Sequence, residues 1–148
     1  MSITDEAEYG QKQINTLELI WGEGFLSPGG IQEIDYVLNN RSIENLNVLD
    51  IGCGCGGAAI HFVKNLKAAH VLGVDVEQEV INRANTLKLK SNHKHQLTFQ
   101  VVEEGPLLFD NESFDMIFSK DAFLHISNKE WLGQELFRLL KPGGFVAA

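Results

Sequence analysis

The sequence predicts a doubly wound α/β fold, in which one parallel sheet is covered by helices on both faces. Two observations lead to this prediction. Apolar runs of strand length alternate with segments of helical spacing along the chain, as they do in α/β proteins. The strand-like runs are also apolar along nearly their whole length, which is typical of strands buried on both faces. Right-handed crossovers between the parallel strands give the doubly wound arrangement. Such a sheet binds its ligand at the carboxyl ends of the strands.

The predicted elements follow one another without a repeat or a low-complexity tract. Helices are expected at residues 5–19, IQEIDYVLNN, GAAIHFVKNL, QEVINRANTLKLK and the segment that begins at Ser127. Strands are expected at NVLDI, HVLGVD, LTFQVV, FDMIFS and FVAA. We therefore expect residues 1–40 to form a helical N-terminal segment and residues 41–148 to form the sheet and its covering helices.

The last predicted helix has a start signal and a stop signal. Ser127 and Glu130 have the spacing of a capping box, in which each side chain bonds the other residue's backbone. The sequence KPGG supplies a lysine for the last turn, followed by proline and glycine, which end helices. The fifth strand is then expected to begin at FVAA.

Length and composition limit the possible classes of protein. A chain of 148 residues is expected to be one domain, and its net charge of −8 disfavours partners such as nucleic acid or an anionic membrane. No apolar run reaches the roughly 18 residues of a membrane span, and the acidic N-terminus does not resemble a signal peptide. Cys53 and Cys55 lie in a glycine turn, where we expect them to fill space and to bind no metal. Two cysteines that are not expected to pair favour a reducing, cytoplasmic compartment.

The stretch VLDIGCGCGG gives the strongest indication of function. Gly52, Gly54 and Gly57 match the pattern G-x-G-x-x-G between a strand and a helix, where bare backbone lets a ligand approach closely. Asp75 ends the next strand, about where a carboxylate meets a pair of ribose hydroxyls. The pattern therefore predicts a cofactor that contains adenosine.

Asp50 distinguishes between two such cofactors. A dinucleotide places its pyrophosphate at the positive N-terminus of the helix, and a carboxylate at the end of the first strand would repel it. S-adenosylmethionine has no phosphate and carries a sulfonium and an ammonium, which a carboxylate attracts. Asp50 therefore favours S-adenosylmethionine, whether it contacts the cofactor or braces the loop by bonding backbone N–H groups.

The ordered motifs VLDIGCGCGG, VLGVD, FDMIFSKDAFLHI and LLKPGGFV resemble the class I S-adenosylmethionine-dependent methyltransferases. The resemblance implies a Rossmann-like sheet with the cofactor across the tips of its first, second and fourth strands. It places Asp75 at the ribose, Gly52 under the methionine part and Glu103 at the adenine amino group. The full set of cofactor-binding residues that we expect is Ser27, Asp50, Gly52, Gly54, Asp75, Val76, Glu103, Glu104 and Lys120.

The segment WGEGFLSPGG, taken with SKDAFLHI, is similar to the phosphoethanolamine N-methyltransferases, which build phosphocholine. This resemblance implies that residues 1–40 form a lid over the acceptor. It also implies that Tyr9 and His125 form a catalytic pair and that Asp121 binds the substrate amine. Sarcosine and dimethylglycine N-methyltransferases share the DAFLH element but match the earlier loop less well.

These residue types suit the transfer of a methyl group to nitrogen. An amine must lose its proton before it attacks, and histidine has a pKa suited to accepting that proton. Each residue also has a structural interpretation: Tyr9 as a packing residue, His125 as a structural residue, and Asp121 as the acid that starts a helix.

This chain also departs from the related proteins in two respects. Lys120 stands where arginine is common, which keeps the charge but loses the planar fork. The related domain continues past the position of Ala148, so we expect a truncated core whose exposed strand edge favours self-association. The alternatives to a phosphoethanolamine N-methyltransferase are an N-methyltransferase for another small acceptor, a non-catalytic cofactor-binding fragment and an NAD-dependent oxidoreductase.

Overall fold

A computed structural model describes residues 10–120 and 122–148, with the backbone alone for Leu124 and His125. Five strands form one sheet in the order β3-β2-β1-β4-β5, and every neighbouring pair is parallel. The strands are β1 (Asn47–Ile51), β2 (His70–Asp75), β3 (Leu97–Val101), β4 (Phe114–Phe118) and β5 (Leu140–Ala147). The chain starts at the central strand β1, adds β2 and β3 on one side, and then adds β4 and β5 on the other side. This confirms the predicted doubly wound sheet, whose switch point lies between β1 and β4.

Helices cover both faces of this sheet. They are α1 (Gln11–Trp21), α2 (Gly30–Leu38), α3 (Gly57–Lys64), α4 (Gln78–Lys90) and α5 (Lys129–Leu139), with short 3₁₀ turns at Lys94–Gln96 and Ala122–His125. Among the described helices, none is both long enough and apolar enough to cross a membrane.

Alternate residues of the strands point into two separate hydrophobic clusters. Val48 packs with residues of α1 to α4, whereas its neighbour Leu49 packs with Leu139 of α5. In the larger cluster the rings of Phe62 and Phe118 meet edge to face, with centroids 5.0 Å apart. The N-terminal helices α1 and α2 contribute to this same cluster, so they are part of the main core. Whether residues 1–40 act as a lid stays a prediction.

The structure corrects the predicted start of α5. The N-cap is Asn128, and its side-chain oxygen accepts a hydrogen bond from the backbone N–H of Trp131 at 3.0 Å. Ser127 lies one residue too early for this role, so the capping box of Ser127 and Glu130 does not form. Asparagine and serine are both good N-caps, and spacing alone could not separate them.

The structure also extends the fifth strand. The helix α5 ends at Leu139 as the sequence KPGG predicts, but β5 begins directly at Leu140 and includes that sequence. The register against β4 shifts between Phe114, which pairs with Leu140, and Met116, which pairs with Phe145. The extra residues form a bulge. The strand β5 is an outer strand of the described sheet. Self-association through its edge stays a prediction.

We predict that Phe62→Ala lowers the free energy of unfolding by about 3–5 kcal/mol, because it leaves a cavity in the larger cluster. Phe62 is fully buried there. Phe137→Ala is the matched control, since Phe137 of α5 is 84% exposed. Chemical denaturation measures both changes. Equal, small effects of the two substitutions would contradict the assigned core.

Candidate cofactor site

The carboxyl ends of β1, β2 and β4 open into one cavity of about 690 Å³. This volume lies within the range of about 300–1,000 Å³ that is usual for small-molecule sites. The segment between α1 and α2 forms another wall, and α5 closes a further side. The cavity therefore lies where a doubly wound sheet is expected to bind its ligand.

The glycine turn is attached to the end of β2 by its backbone. The N–H groups of Gly52 and Cys53 both donate to the carbonyl oxygen of Val74, at 2.8 and 3.0 Å. Gly52 has φ +73°, and a Cβ there would lie 2.5 Å from the Cβ of Ala122. A residue with a side chain would therefore be strained at position 52 and would also clash with the segment after β4.

Asp75 braces the same turn with both carboxylate oxygens. Its Oδ2 accepts from the N–H of Gly54 at 3.0 Å, and its Oδ1 accepts from the N–H of Glu77 at 3.1 Å. Each oxygen has a second lone pair that can accept a further bond. Asp75 can therefore hold the loop and still accept a hydrogen bond from a ligand hydroxyl.

Asp50 is buried in the cavity wall without a hydrogen-bond partner for Oδ2 among the described residues. Burial, together with the negative charge of Asp75, raises the pKa of Asp50 to about 8. A buried polar atom without a partner is costly unless a ligand satisfies it. The cavity wall therefore includes one carboxyl oxygen, Oδ2 of Asp50, that no described residue bonds.

The first N–H of the helix α3 is already bonded within the protein. The N–H of Gly57, its first residue, donates to the carbonyl oxygen of Gly24 at 3.0 Å. The cavity wall is also acidic, with the carboxyl groups of Asp50, Asp75, Glu77, Glu103, Glu104 and Glu135. Lys120 is the one lysine or arginine of the described wall. A pyrophosphate fits this arrangement poorly, whereas a sulfonium and an ammonium fit it well.

All nine residues predicted to bind the cofactor line this cavity: Ser27, Asp50, Gly52, Gly54, Asp75, Val76, Glu103, Glu104 and Lys120. Their individual contacts with a cofactor stay predictions. Val76 is an apolar residue that is half exposed, as expected of a residue that a ligand covers. Lys120 has another role as well, because its Nζ donates to the carbonyl oxygen of Pro28 at 2.5 Å and lies 3.3 Å from Glu33.

The acceptor side of the site falls largely outside the described residues. Tyr9 and Asp121 lie outside them, and so does the side chain of His125. The backbone of His125 belongs to the 3₁₀ turn Ala122–His125, which follows β4. Ala122 at the start of that turn lines the cavity.

Sequence reasoning missed several residues that shape the cavity. Gly24 was assigned to a loop, yet it is buried against the glycine turn. Trp131 and Leu136 of α5 also line the cavity. Gly24 had one detectable signal, its place in WGEGFLSPGG, a segment with four glycines and a proline, which favours close backbone approach.

The comparisons with known proteins agree with this site. The methyltransferase domain family matches residues 48–144. A phosphoethanolamine N-methyltransferase of Plasmodium falciparum is 34% identical over 140 residues, which cover 93% of this chain and 51% of that enzyme. A sterol 24-C-methyltransferase of Gibberella zeae is 33% identical, with 95% of this chain and 37% of that enzyme covered.

A solved structure is also similar. Phosphoethanolamine N-methyltransferase 2 of Haemonchus contortus, in complex with S-adenosyl-L-methionine, is 31% identical with a TM-score of 0.86. The match covers 96% of this chain and 33% of that one. The chain thus spans a third to a half of these relatives.

The family match covers more than half of the chain, so the chain belongs to the methyltransferase domain family. This family depends on S-adenosylmethionine, and the cavity fits that cofactor through its unbonded acid, its glycine turn and its acidic wall. The predicted resemblance to class I methyltransferases is confirmed.

We predict that binding of S-adenosylmethionine releases a proton from Asp50. A cation favours the ionised carboxylate, whereas a pKa of about 8 keeps Asp50 mostly protonated in the empty site at neutral pH. Affinity should therefore rise as the pH rises toward that value, and it should level off above it. Calorimetry near neutral pH in buffers of different ionisation enthalpy measures the proton directly.

Asp50→Asn is the control for this experiment, because it keeps the shape of the side chain and removes its titration. The cofactor's own amino group titrates in both proteins, so the difference between them reports Asp50. Equal proton release by the two proteins would show that Asp50 does not change its protonation on binding.

Proposed function

We propose that the protein is an S-adenosylmethionine-dependent N-methyltransferase that acts on phosphoethanolamine or its methylated forms. The observation that carries the proposal is the similarity, over nearly the whole chain, to phosphoethanolamine N-methyltransferases of two distant organisms. One of these has also been solved with phosphomonomethylethanolamine and S-adenosylhomocysteine. The acidic wall of the cavity supports the cofactor part of the proposal, because S-adenosylmethionine carries a sulfonium and an ammonium.

When bound, the cofactor supplies a methyl group on a positively charged sulfur. The chain's own residues bind and orient it. Asp75 would accept a hydrogen bond from a ribose hydroxyl while it braces Gly54, and Asp50 would supply negative charge at the bare turn of Gly52. Line-up of the methyl group with the nitrogen, and exclusion of water by the surrounding walls, supply much of the rate.

On the acceptor side, we assign the proton transfer to His125. The acceptor nitrogen attacks only as the free amine, so a base must take its proton first. His125 takes that proton directly or through one water, and Tyr9 bonds the imidazole and closes the site. Asp121 attracts and orients the ammonium before it loses its proton. These three assignments rest on the resemblance of the motifs.

An assay with methyl-labelled S-adenosylmethionine tests the acceptor. Phosphoethanolamine, ethanolamine, glycine, sarcosine and a sterol are offered in parallel. We expect label only in the phosphorylated product, because phosphoethanolamine N-methyltransferases are similar to this chain both in sequence and in solved structure. Cofactor affinity is measured on the same sample. A protein that binds the cofactor but does not methylate an acceptor is thereby distinguished from one that does not bind the cofactor.

Label on glycine or sarcosine would instead support the alternative acceptors that share the DAFLH element. Label on the sterol would favour the activity of the Gibberella relative, which is 33% identical over a similar share of the chain. Cofactor binding with no label in any acceptor would favour a non-catalytic binding fragment.

We predict that His125→Ala lowers kcat by about 100-fold or more, which is the usual contribution of a general base. The affinity for S-adenosylmethionine should change little, because the proton belongs to the acceptor. His95→Ala is the matched control, since His95 is exposed in the turn before β3. Steady-state kinetics measures both. A loss below about threefold would assign His125 to packing.

A further inference from the structure

The segment from Gly24 to Ser27 forms one wall of the cofactor cavity. Its backbone is attached to the rest of the protein at Gly24. The carbonyl oxygen of Gly24 accepts from the N–H of Gly57 at 3.0 Å, and its own N–H donates to Oε1 of Glu18 at 3.3 Å. Both backbone groups of this residue are therefore bonded to other elements.

Glu18 is held in place by a two-pronged bond with Arg83. Nε of Arg83 donates to Oε1 of Glu18 at 3.0 Å, and Nη2 donates to Oε2 at 2.8 Å. The two side chains are 9% and 19% exposed, so water screens the pair weakly. This bond raises the pKa of Arg83, and it links α1 to α4 across 65 residues of sequence.

The contact between Gly24 and Gly57 fixes how closely the wall approaches the glycine turn. A Cβ on Gly24 would lie 2.9 Å from the Cα of Gly57, and a Cβ on Gly57 would lie 2.7 Å from the carbonyl oxygen of Gly24. The two backbones meet at van der Waals distance. The position of the wall therefore depends on the bonds made by Gly24.

We propose that Glu18 is a positioning residue for the cofactor site. Arg83 fixes its carboxylate, and the carboxylate fixes the N–H of Gly24, so that the wall is already formed before the cofactor binds. The inference rests on the cofactor alone and is independent of the acceptor proposed above. Its test therefore measures cofactor affinity, whose failure is distinct from the failure of the proposed acceptor.

The effect on affinity follows from the population of the formed wall. When only a fraction of molecules has a competent site, the apparent dissociation constant rises by the inverse of that fraction. Loss of a bond to a charged group should leave the wall open most of the time. We expect Glu18→Ala to weaken binding of S-adenosylmethionine and S-adenosylhomocysteine by about tenfold or more.

Asp115 supplies the matched control at the opposite end of the sheet. Its Oδ2 accepts from the backbone N–H of Asn47 at 2.8 Å and lies 3.6 Å from Nζ of Lys141. Glu18 and Asp115 thus both link a backbone N–H to a cation. We expect Asp115→Ala and Glu18→Ala both to lower the melting temperature, but only Glu18→Ala to weaken cofactor binding in calorimetry.

Two further variants separate the Gly24 bond from the ion pair. Glu18→Gln keeps an oxygen for the N–H of Gly24 and loses the charge, so it should lower the melting temperature with affinity within about threefold of the original. The exchanged pair, Glu18→Arg with Arg83→Glu, restores the ion pair but offers Gly24 no acceptor. It should therefore recover stability and still bind the cofactor weakly.

Hydrogen exchange of the amides of residues 22–27 gives a second readout. In Glu18→Ala we expect faster exchange of these amides without the cofactor and a return toward the original rate with S-adenosylhomocysteine. The proposal is overturned if Glu18→Ala binds within twofold of the original protein. It is also overturned if the exchanged pair binds as tightly as the original protein, since the Gly24 bond would then play no part.

Discussion

A single carbonyl oxygen, that of Val74, organises the cofactor cavity. The N–H groups of Gly52 and Cys53 both donate to it, so the turn after β1 is tied to the end of β2. This bond brings the turn to Asp75, whose carboxylate then accepts from Gly54. The helix α3 follows the turn and begins at Gly57, whose N–H donates to the carbonyl oxygen of Gly24. The bonds at Val74, Asp75 and Gly24 thus together fix the floor and the wall of the cavity.

The charges of the cavity serve one purpose. Acidic side chains surround it, and Asp50 lies among them with one oxygen unbonded. Burial, together with the negative charge of Asp75, disfavours the ionisation of Asp50 and raises its pKa to about 8. This arrangement destabilises the empty protein, and a bound cation would offset the cost by stabilising the ionised carboxylate. Stability of the empty fold and affinity for the cofactor thus depend on the same group in opposite directions.

Features set by neighbouring residues could be predicted from the sequence, whereas features set by distant residues could not. The glycine turn and Asp75 follow from local spacing, and the structure brings all nine predicted cofactor residues to one cavity. The pair of Glu18 and Arg83 has no local signal, because it forms only after α1 and α4 pack together. The N-cap was misassigned by one residue because Ser127 and Asn128 are adjacent and chemically alike. The strand β5 was predicted too short because its bulge includes residues that usually end an element.

The contact of Gly24 with Gly57 has an evolutionary consequence. Either glycine can gain a side chain only if the partner backbone moves away, and that movement shifts a cavity wall. Single substitutions at the two positions are therefore expected to fail separately, while a pair that includes a compensating loop change can succeed. A mutational library built one position at a time would record both sites as intolerant and would miss the coupling between them.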